Sequence, residues 1–144
     1  MRTIETTLYY FDELPKETQR KALDKYVDIN TSYDWWDCIF QDMDYIGINV
    51  QHFNLYYKDI SLRVEHSLDT ASKIMKEYGK DTEFYKVAMK LATGSISEKA
   101  FIDAMHRLVF EVLRADEDYL TSDQGIKEYF IENDIEFTKD GIIW

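Results

Sequence analysis

His52, His66 and His106 are the imidazoles of the chain, and histidine is the side chain most often found as a metal ligand or proton shuttle at neutral pH. If the chain reverses about Asp59, His52 and His66 stand opposite each other on neighbouring strands, with Cβ atoms roughly 4.5–5.5 Å apart, close enough to share a metal. Both are in phase with apolar residues, Ile48 and Val50 on one side and Leu62 and Val64 on the other. In such a setting a packed, hydrogen-bonded histidine is commoner than a ligand. No H-E-x-x-H, paired C-x-x-C or helical E-x-x-H completes a site, and His106 has no partner at ligand spacing. A metal-dependent hydrolase built on His52 and His66 is the weakest functional reading, and no metal or other cofactor is expected.

Nucleophilic chemistry has as little to build on. There is no G-x-S-x-G elbow, and the single cysteine, Cys38, lies between a tryptophan pair and Ile39, where a buried inert thiol is expected. It has no second cysteine for an internal disulfide. The glycines, at 47, 79, 94, 125 and 141, never cluster into a phosphate-cradling loop. Paired carboxylates for acid–base work are abundant, and their abundance removes their diagnostic value without geometry. No catalytic residue is assigned, and a non-enzymatic protein is expected.

Helices and strands must position whatever remains. Met1 to Phe11 alternates with period two and is rich in Thr, Ile and Tyr, which predicts a strand ending at Asp12. Pro15 suits the first turn of a helix carrying Ala22, Leu23, Tyr26 and Val27 to about Asn30. Turn and cap residues from Asn30 to Asp34 precede a second helix with Trp35, Trp36, Ile39, Phe40 and Met43, closed by Gly47. Ile48–Tyr57 and Ile60–Leu68 read as a hairpin around Lys58 and Asp59. Thr70 starts a helix stopped by Gly79, and Thr82 to Thr93 repeats the format. Ser95 and Glu98 have the S-x-x-E spacing of a capping box before a long helix through Leu113. Ser122 or Asp123 restarts a helix with Ile126 and Phe130, and Ile135 to Ile143 reads as a strand with a tight turn at Asp140-Gly141. The expectation is a single α+β domain over residues 1–144. Its small antiparallel sheet comprises the N-terminal strand, the central hairpin and the C-terminal strand, with helices packed on one face and a helical C-terminal half.

Charge is the most informative property. With 28 Asp and Glu against 17 Lys and Arg, the net charge of −11 has the wrong sign for phosphate-driven nucleic-acid binding. From Tyr26 to Tyr57 there is no Lys or Arg, while Asp28, Asp34, Asp37, Asp42 and Asp44 fall there; Asp37 and Asp44 share one helix face. From Ala115 to Thr138, Asp116, Glu117, Asp118, Asp123, Glu128, Glu132, Asp134 and Glu136 face Lys127 alone. Such stripes either solubilise a surface or meet a basic partner that relieves their mutual repulsion. Trp35 and Trp36, about 100° apart on a helix, sit beside the first stripe and are candidates for an arginine-rich contact. The predicted partner-binding residues are therefore Asp34, Trp35, Trp36, Asp37, Asp44, Asp116, Glu117, Asp118, Glu128, Glu132 and Glu136. Met1 to Tyr10 holds a single basic residue, Arg2, and no apolar core, so no secretory signal is expected; no apolar run nears the roughly 20 residues of a membrane span.

Phe11-Asp12-Glu13-Leu14, Ala22, Tyr33-Asp34-Trp35-Trp36-Asp37, Asp42 and Ile46-Gly47-Ile48 leading to Phe53 together carry a resemblance. This stretch, roughly residues 8 to 66, resembles a family of small phage and prophage proteins with an F-x-E-L helix start and a W-W helix, often described as antitoxins of toxin–antitoxin systems. The glycine-rich, cysteine-containing segment that often follows in that family is absent, since Tyr57 to Leu68 has neither residue. The resemblance implies a phage or prophage origin and a cytoplasmic location in the host. Phage proteins of this size and acidity are frequently inhibitors of host defence, including anti-CRISPR proteins that block nucleic-acid channels. The resulting expectation is an acidic inhibitor of a host factor such as a defence nuclease, acting as a steric plug or DNA mimic. The alternative is an antitoxin neutralising a basic toxin. Either way the partner is a basic protein surface, without direct contact to nucleic acid or membrane.

Overall fold

A computed structural model describes residues 1–144. It is an α+β structure with six α-helices, two small antiparallel strand pairs and a helical C-terminal half. The chain groups into two compact units, one made of residues 1–35 with 117–144 and the other of residues 36–116.

The first unit pairs β1 (Tyr9–Tyr10) with β4 (Glu136–Phe137), Tyr9 opposite Phe137 and Tyr10 opposite Glu136. The predicted strand over Met1–Phe11 therefore shrinks to two residues. Alternation supplied a strand-like pattern, but β4 offers partners only to Tyr9 and Tyr10, and Met1–Thr7 are exposed. A 3-10 turn, Phe11–Glu13, follows; its end is closed by Gln19 Nε2, which donates to the carbonyls of Phe11 and Leu14 at 3.2 and 3.0 Å. Next comes α1 (Lys16–Lys25), shorter than its periodic pattern suggested, and then α6 (Asp123–Glu132), where of the two candidate starts Ser122 is the N-cap and accepts the Gly125 amide at 3.1 Å. Phe11, Leu14, Ala22, Leu23, Ile126, Phe130 and Phe137 form the core of this unit. Phe130 meets Phe137 edge-on at 4.9 Å and Tyr26 at 6.1 Å. The Tyr26 hydroxyl accepts the Ile143 amide at 2.8 Å, and Phe137 also bridges to Ile143, which pins the predicted C-terminal turn in place. Gly125 is required by close approach: a Cβ there would lie 2.1 Å from the carbonyl oxygen of Tyr119. Buried Asn30 spans the same corner, donating to the carbonyls of Leu120 and Gly125 at 2.9 and 3.2 Å.

The second unit begins with α2 (Asp37–Tyr45), which packs on the hairpin of β2 (Ile48–Asn54) and β3 (Asp59–Val64). Gly47, at φ +89°, makes the reversal between α2 and β2; a Cβ there would also stand 2.6 Å from Thr70 Oγ1. Then come α3 (Ser67–Glu77) and α4 (Glu83–Ala92), packed as a pair, and α5 (Glu98–Leu120), which belongs to this unit as far as Asp116. Alternate burial of Ile48, Val50, Leu62 and Val64 gives the hairpin one apolar face. Helical spacing buries Ala71 and Ile74 on α3, Phe84, Val87, Ala88 and Leu91 on α4, and Phe101, Met105, Leu108, Val109 and Leu113 on α5. Thr82 caps α4 as expected, accepting the Tyr85 amide at 3.2 Å. The S-x-x-E box before α5 does not form. Ser97 makes the cap instead, accepting the Ala100 amide at 3.1 Å, while Glu98 accepts a hydrogen bond from Ser67 Oγ. Thr70, read as a helix start, is buried inside α3.

The sheet is likewise divided, because β1–β4 and β2–β3 are separate pairs and not one sheet. Within the hairpin the register also departs from the symmetric expectation. Ile48 faces Val64 and Val50 faces Leu62, a bulge follows between Val50 and His52, and His52 then faces Ser61. His66 lies beyond β3, as the residue preceding α3. The postulated His52–His66 pair is thus not made, for the turn is centred nearer Tyr56–Tyr57 than Asp59.

Candidate binding surface

The first acidic stripe is exposed throughout: Asp28, Asp34, Asp37, Asp42 and Asp44 all face solvent. Asp37 and Asp44 sit seven residues apart on α2 and so share a face, as the sequence indicates. Asp34 lies before the helix and does not cap it; Trp36 holds the N-cap position without a side-chain cap bond. Trp35 and Trp36 precede α2, so the helical angle between them does not apply. Both are half-buried, and Trp36 meets Phe53 edge-on at 5.5 Å. Cys38 is exposed, contrary to the buried thiol expected, because on α2 the inward positions fall to Met43 and, in part, to Ile39 and Phe40.

In the second stripe, Asp118, Glu132 and Glu136 are exposed, while Asp116, Glu117 and Glu128 are half-buried. Glu128 and Glu132 lie one turn apart on α6, and Glu136 begins β4. Asp116, Glu117 and Asp118 are consecutive on α5, so they fan around the helix and share no face. They fall close to its C-terminus, where the partial negative charge of the aligned peptides disfavours anions, and no basic residue occupies the last turn. Burial raises the Asp116 carboxyl above the usual carboxylate range.

Ion pairing leaves these stripes almost untouched. Arg20 binds Asp123 at 2.6 Å and Asp24 at 2.8 Å, which holds the Asp123 carboxyl below its ordinary range. Lys127, the one cation within the second stripe, reaches out of it to Asp12 at 3.8 Å. Every other carboxylate of the two stripes lacks an ion-pair partner. The imbalance is strongest in residues 1–35 with 117–144, which carry 15 acidic side chains against 7 basic ones, a balance of −8.

The histidines do not converge. His52 is exposed on β2 and His66 is exposed ahead of α3. His106 Nδ1 lies 2.9 Å from the Ile102 carbonyl oxygen, which places a proton on Nδ1 and occupies it within the helix. No group of three or more His, Cys, Asp or Glu side chains is arranged to hold a metal ion. A cleft of about 340 Å³ beside α3 interleaves the carboxylates Asp44, Glu65 and Asp69 with Arg63 and Lys73, so it offers no dominant charge to a ligand. No helix is long and apolar enough to cross a membrane.

The sequence reading missed the exposed Tyr56-Tyr57 pair at the hairpin turn. The signal was Asn54, whose side chain commonly closes a turn two or three residues on; it accepts the Tyr57 amide at 3.1 Å and so takes both tyrosines out of the strand. Comparison with protein-family models, curated proteins and solved structures gives no match to this chain.

Proposed function

We propose that this is a non-enzymatic binding protein whose acidic stripes seat on a basic surface of a partner. The observation that carries the proposal is that, of the stripe carboxylates, Asp123 alone is ion-paired, while three others crowd the unfavourable end of α5. A solubilising surface gains nothing from charge placed against a helix dipole, whereas a basic partner relieves both the repulsion and the dipole. The partner that best fits is a surface evolved to hold polyanions. On this reading the protein inhibits a host factor, such as a defence nuclease, by plugging its nucleic-acid channel or mimicking its DNA. The resemblance to phage proteins supports that class of target, and their frequent description as antitoxins favours a second reading, neutralisation of a basic toxin. A toxin gene beside its own would favour the second.

Capture from host lysate at low and high salt tests the proposal, using the parent, Asp37→Lys with Asp44→Lys, and Glu132→Lys with Glu136→Lys. Each pair changes local charge by +4 and places like charges in contact, so loss of the captured partner is expected, together with salt-sensitive capture by the parent. Retention of the partner by both reversed proteins would refute it.

A further inference from the structure

One face of the β1–β4 pair looks away from the core of the first unit. β4 is flanked on one side by β1, with Tyr10 opposite Glu136, and on the other by an antiparallel bridge from Phe137 to Ile143. The Trp144 amide donates to the Glu136 carbonyl at 3.0 Å, so Trp144 stands opposite Glu136 on that second side. Opposed residues of antiparallel strands point to the same face, and successive residues point to opposite faces. Tyr9, Phe137 and Ile143 accordingly pack in the core, and Tyr10, Glu136 and Trp144 form a row outside it. Tyr10 is 51% and Trp144 70% exposed, and the exposed Glu136 carboxylate between them has no ion-pair partner. More carboxylates adjoin the tyrosine: Glu13 Oε1 accepts the Tyr10 amide at 2.7 Å, and Asp12 and Asp134 line a hollow of about 210 Å³ with it. Two lysines of the neighbourhood lie off the row. Lys127 reaches Asp12 at 3.8 Å, and Lys139 borders a separate hollow with Glu5 and Asp140, beside Tyr9.

Neighbouring strands lie about 4.8 Å apart, so Tyr10 and Trp144 rise about 10 Å from each other with Glu136 midway. A cation held over Glu136 is then about 5 Å from both rings, within the roughly 6 Å over which an aromatic face attracts a cation. We infer that Tyr10, Glu136 and Trp144 are a clamp for one arginine side chain of a protein partner, its guanidinium forked on the Glu136 carboxylate and flanked by the two rings. The inference rests on the basic-partner reading above and names where that partner is gripped, in the unit that carries the larger share of the negative charge. Arginine fits better than lysine because its planar, weakly hydrated head pairs with a carboxylate through two parallel hydrogen bonds while its faces meet aromatic rings. A nucleic-acid base also stacks between rings, but Glu136 and the carboxylates around Tyr10 repel its phosphates.

The test titrates the full chain with fluorescent deca-arginine, deca-lysine and an oligo-dT strand at about 0.1 M salt, which screens diffuse attraction beyond about 10 Å. The parent is expected to prefer deca-arginine over deca-lysine several-fold. Tyr10→Ala with Trp144→Ala is expected to weaken deca-arginine binding about fivefold or more and to erase that preference, while Tyr10→Phe with Trp144→Phe retains it. Glu136→Gln is expected to lower the affinity for deca-arginine with both rings in place. Unchanged arginine preference in the alanine pair, or unchanged affinity in Glu136→Gln, overturns the inference and leaves the acidic-face reading standing. Failure of both peptides to bind the parent overturns that reading and this inference with it, as does tighter binding of the oligo-dT. The indole N–H resonances of Trp35, Trp36 and Trp144 in the parent, followed on adding deca-arginine, give a readout independent of any variant. A shift at Trp144 supports the clamp, and an unmoved Trp144 in the saturated complex overturns it.

Discussion

Neutralising Asp116, Glu117 and Asp118 together is expected to make the protein more stable and a poorer binder. Anions in the last turns of a helix cost about 0.3–1 kcal/mol each at low ionic strength when exposed. The three sit near the C-terminus of α5 with no basic residue in its last turn and no ion-pair partner. Asp116→Asn, Glu117→Gln and Asp118→Asn should therefore add about 1–2 kcal/mol in total, the farthest from the terminus adding least. For a chain of this size that corresponds to a melting-temperature rise of roughly 2–6 °C. The assay is urea unfolding followed by circular dichroism, in about 20 mM and about 1 M salt, beside the affinity for deca-arginine. Salt should shrink the gain, since screening weakens the penalty in the parent. The pH dependence has a fixed sign. Burial raises the folded-state carboxyl of Asp116, so the stability linked to its proton is fully present below the unfolded value and lost as pH rises through the folded one. The asparagine variant carries no such titration, so its advantage should be largest at neutral pH and fade on acidification. A triple variant that is no more stable than the parent at low salt and pH 7 would refute the dipole argument. One that gains stability yet binds deca-arginine undiminished would remove these residues from the interface.

Gly125→Ala would drive a Cβ to 2.1 Å from the Tyr119 carbonyl oxygen, so the corner must shift; a loss of at least about 2 kcal/mol by urea titration is expected. Phe130→Ala removes a fully buried ring in contact with Phe11, Tyr26 and Phe137, and a loss of about 3–5 kcal/mol is expected. The lowered Asp123 carboxyl contributes stability present above the usual carboxylate value and lost as pH falls through the folded one. Asp123→Asn should accordingly flatten the acid limb of a stability–pH profile measured from pH 2 to 7, with a modest amplitude because the Arg20 pair is exposed.

Local chemistry was readable where a single side chain decides the outcome. Thr82 and Ser122 start helices because their hydroxyls reach an orphan amide three residues on, and Gly47 ends α2 because its φ is positive. What depends on a distant partner was not. Met1–Leu8 has strand composition, yet a strand exists only as long as its neighbour, and β4 is two residues long. The histidine pairing failed because one bulge and a turn of Leu55–Lys58 shift the register, and a one-residue slip moves every side chain to the other face. Ser95 and Glu98 satisfy a capping pattern, but Ser97 wins the cap once Glu98 is engaged by Ser67, 31 residues away. Of the site residues, exposure of Asp34, Asp37, Asp44 and Asp118 followed from their charge, while the half-burial of Asp116 did not; the exposed Cys38 and the Tyr56-Tyr57 turn required knowing which face of α2 and which residues of the hairpin turn inward.

The unit built from residues 1–35 and 117–144 is discontinuous in the chain, and this sets an order of events during synthesis. Phe11, Leu14 and Leu23 leave the ribosome early, but Ile126, Phe130 and Phe137, which complete their core, follow only after the 81 residues of 36–116. At roughly 5–20 residues per second the delay is on the order of 4–16 s, long compared with helix or hairpin formation. Residues 36–116 have no such wait, being contiguous, and can collapse as they emerge. The nascent chain therefore passes through a stage in which one unit is folded while the apolar side of α1 and the ring of Phe11 stand uncovered, and in that interval a chaperone or a protease competes with Phe137 for them.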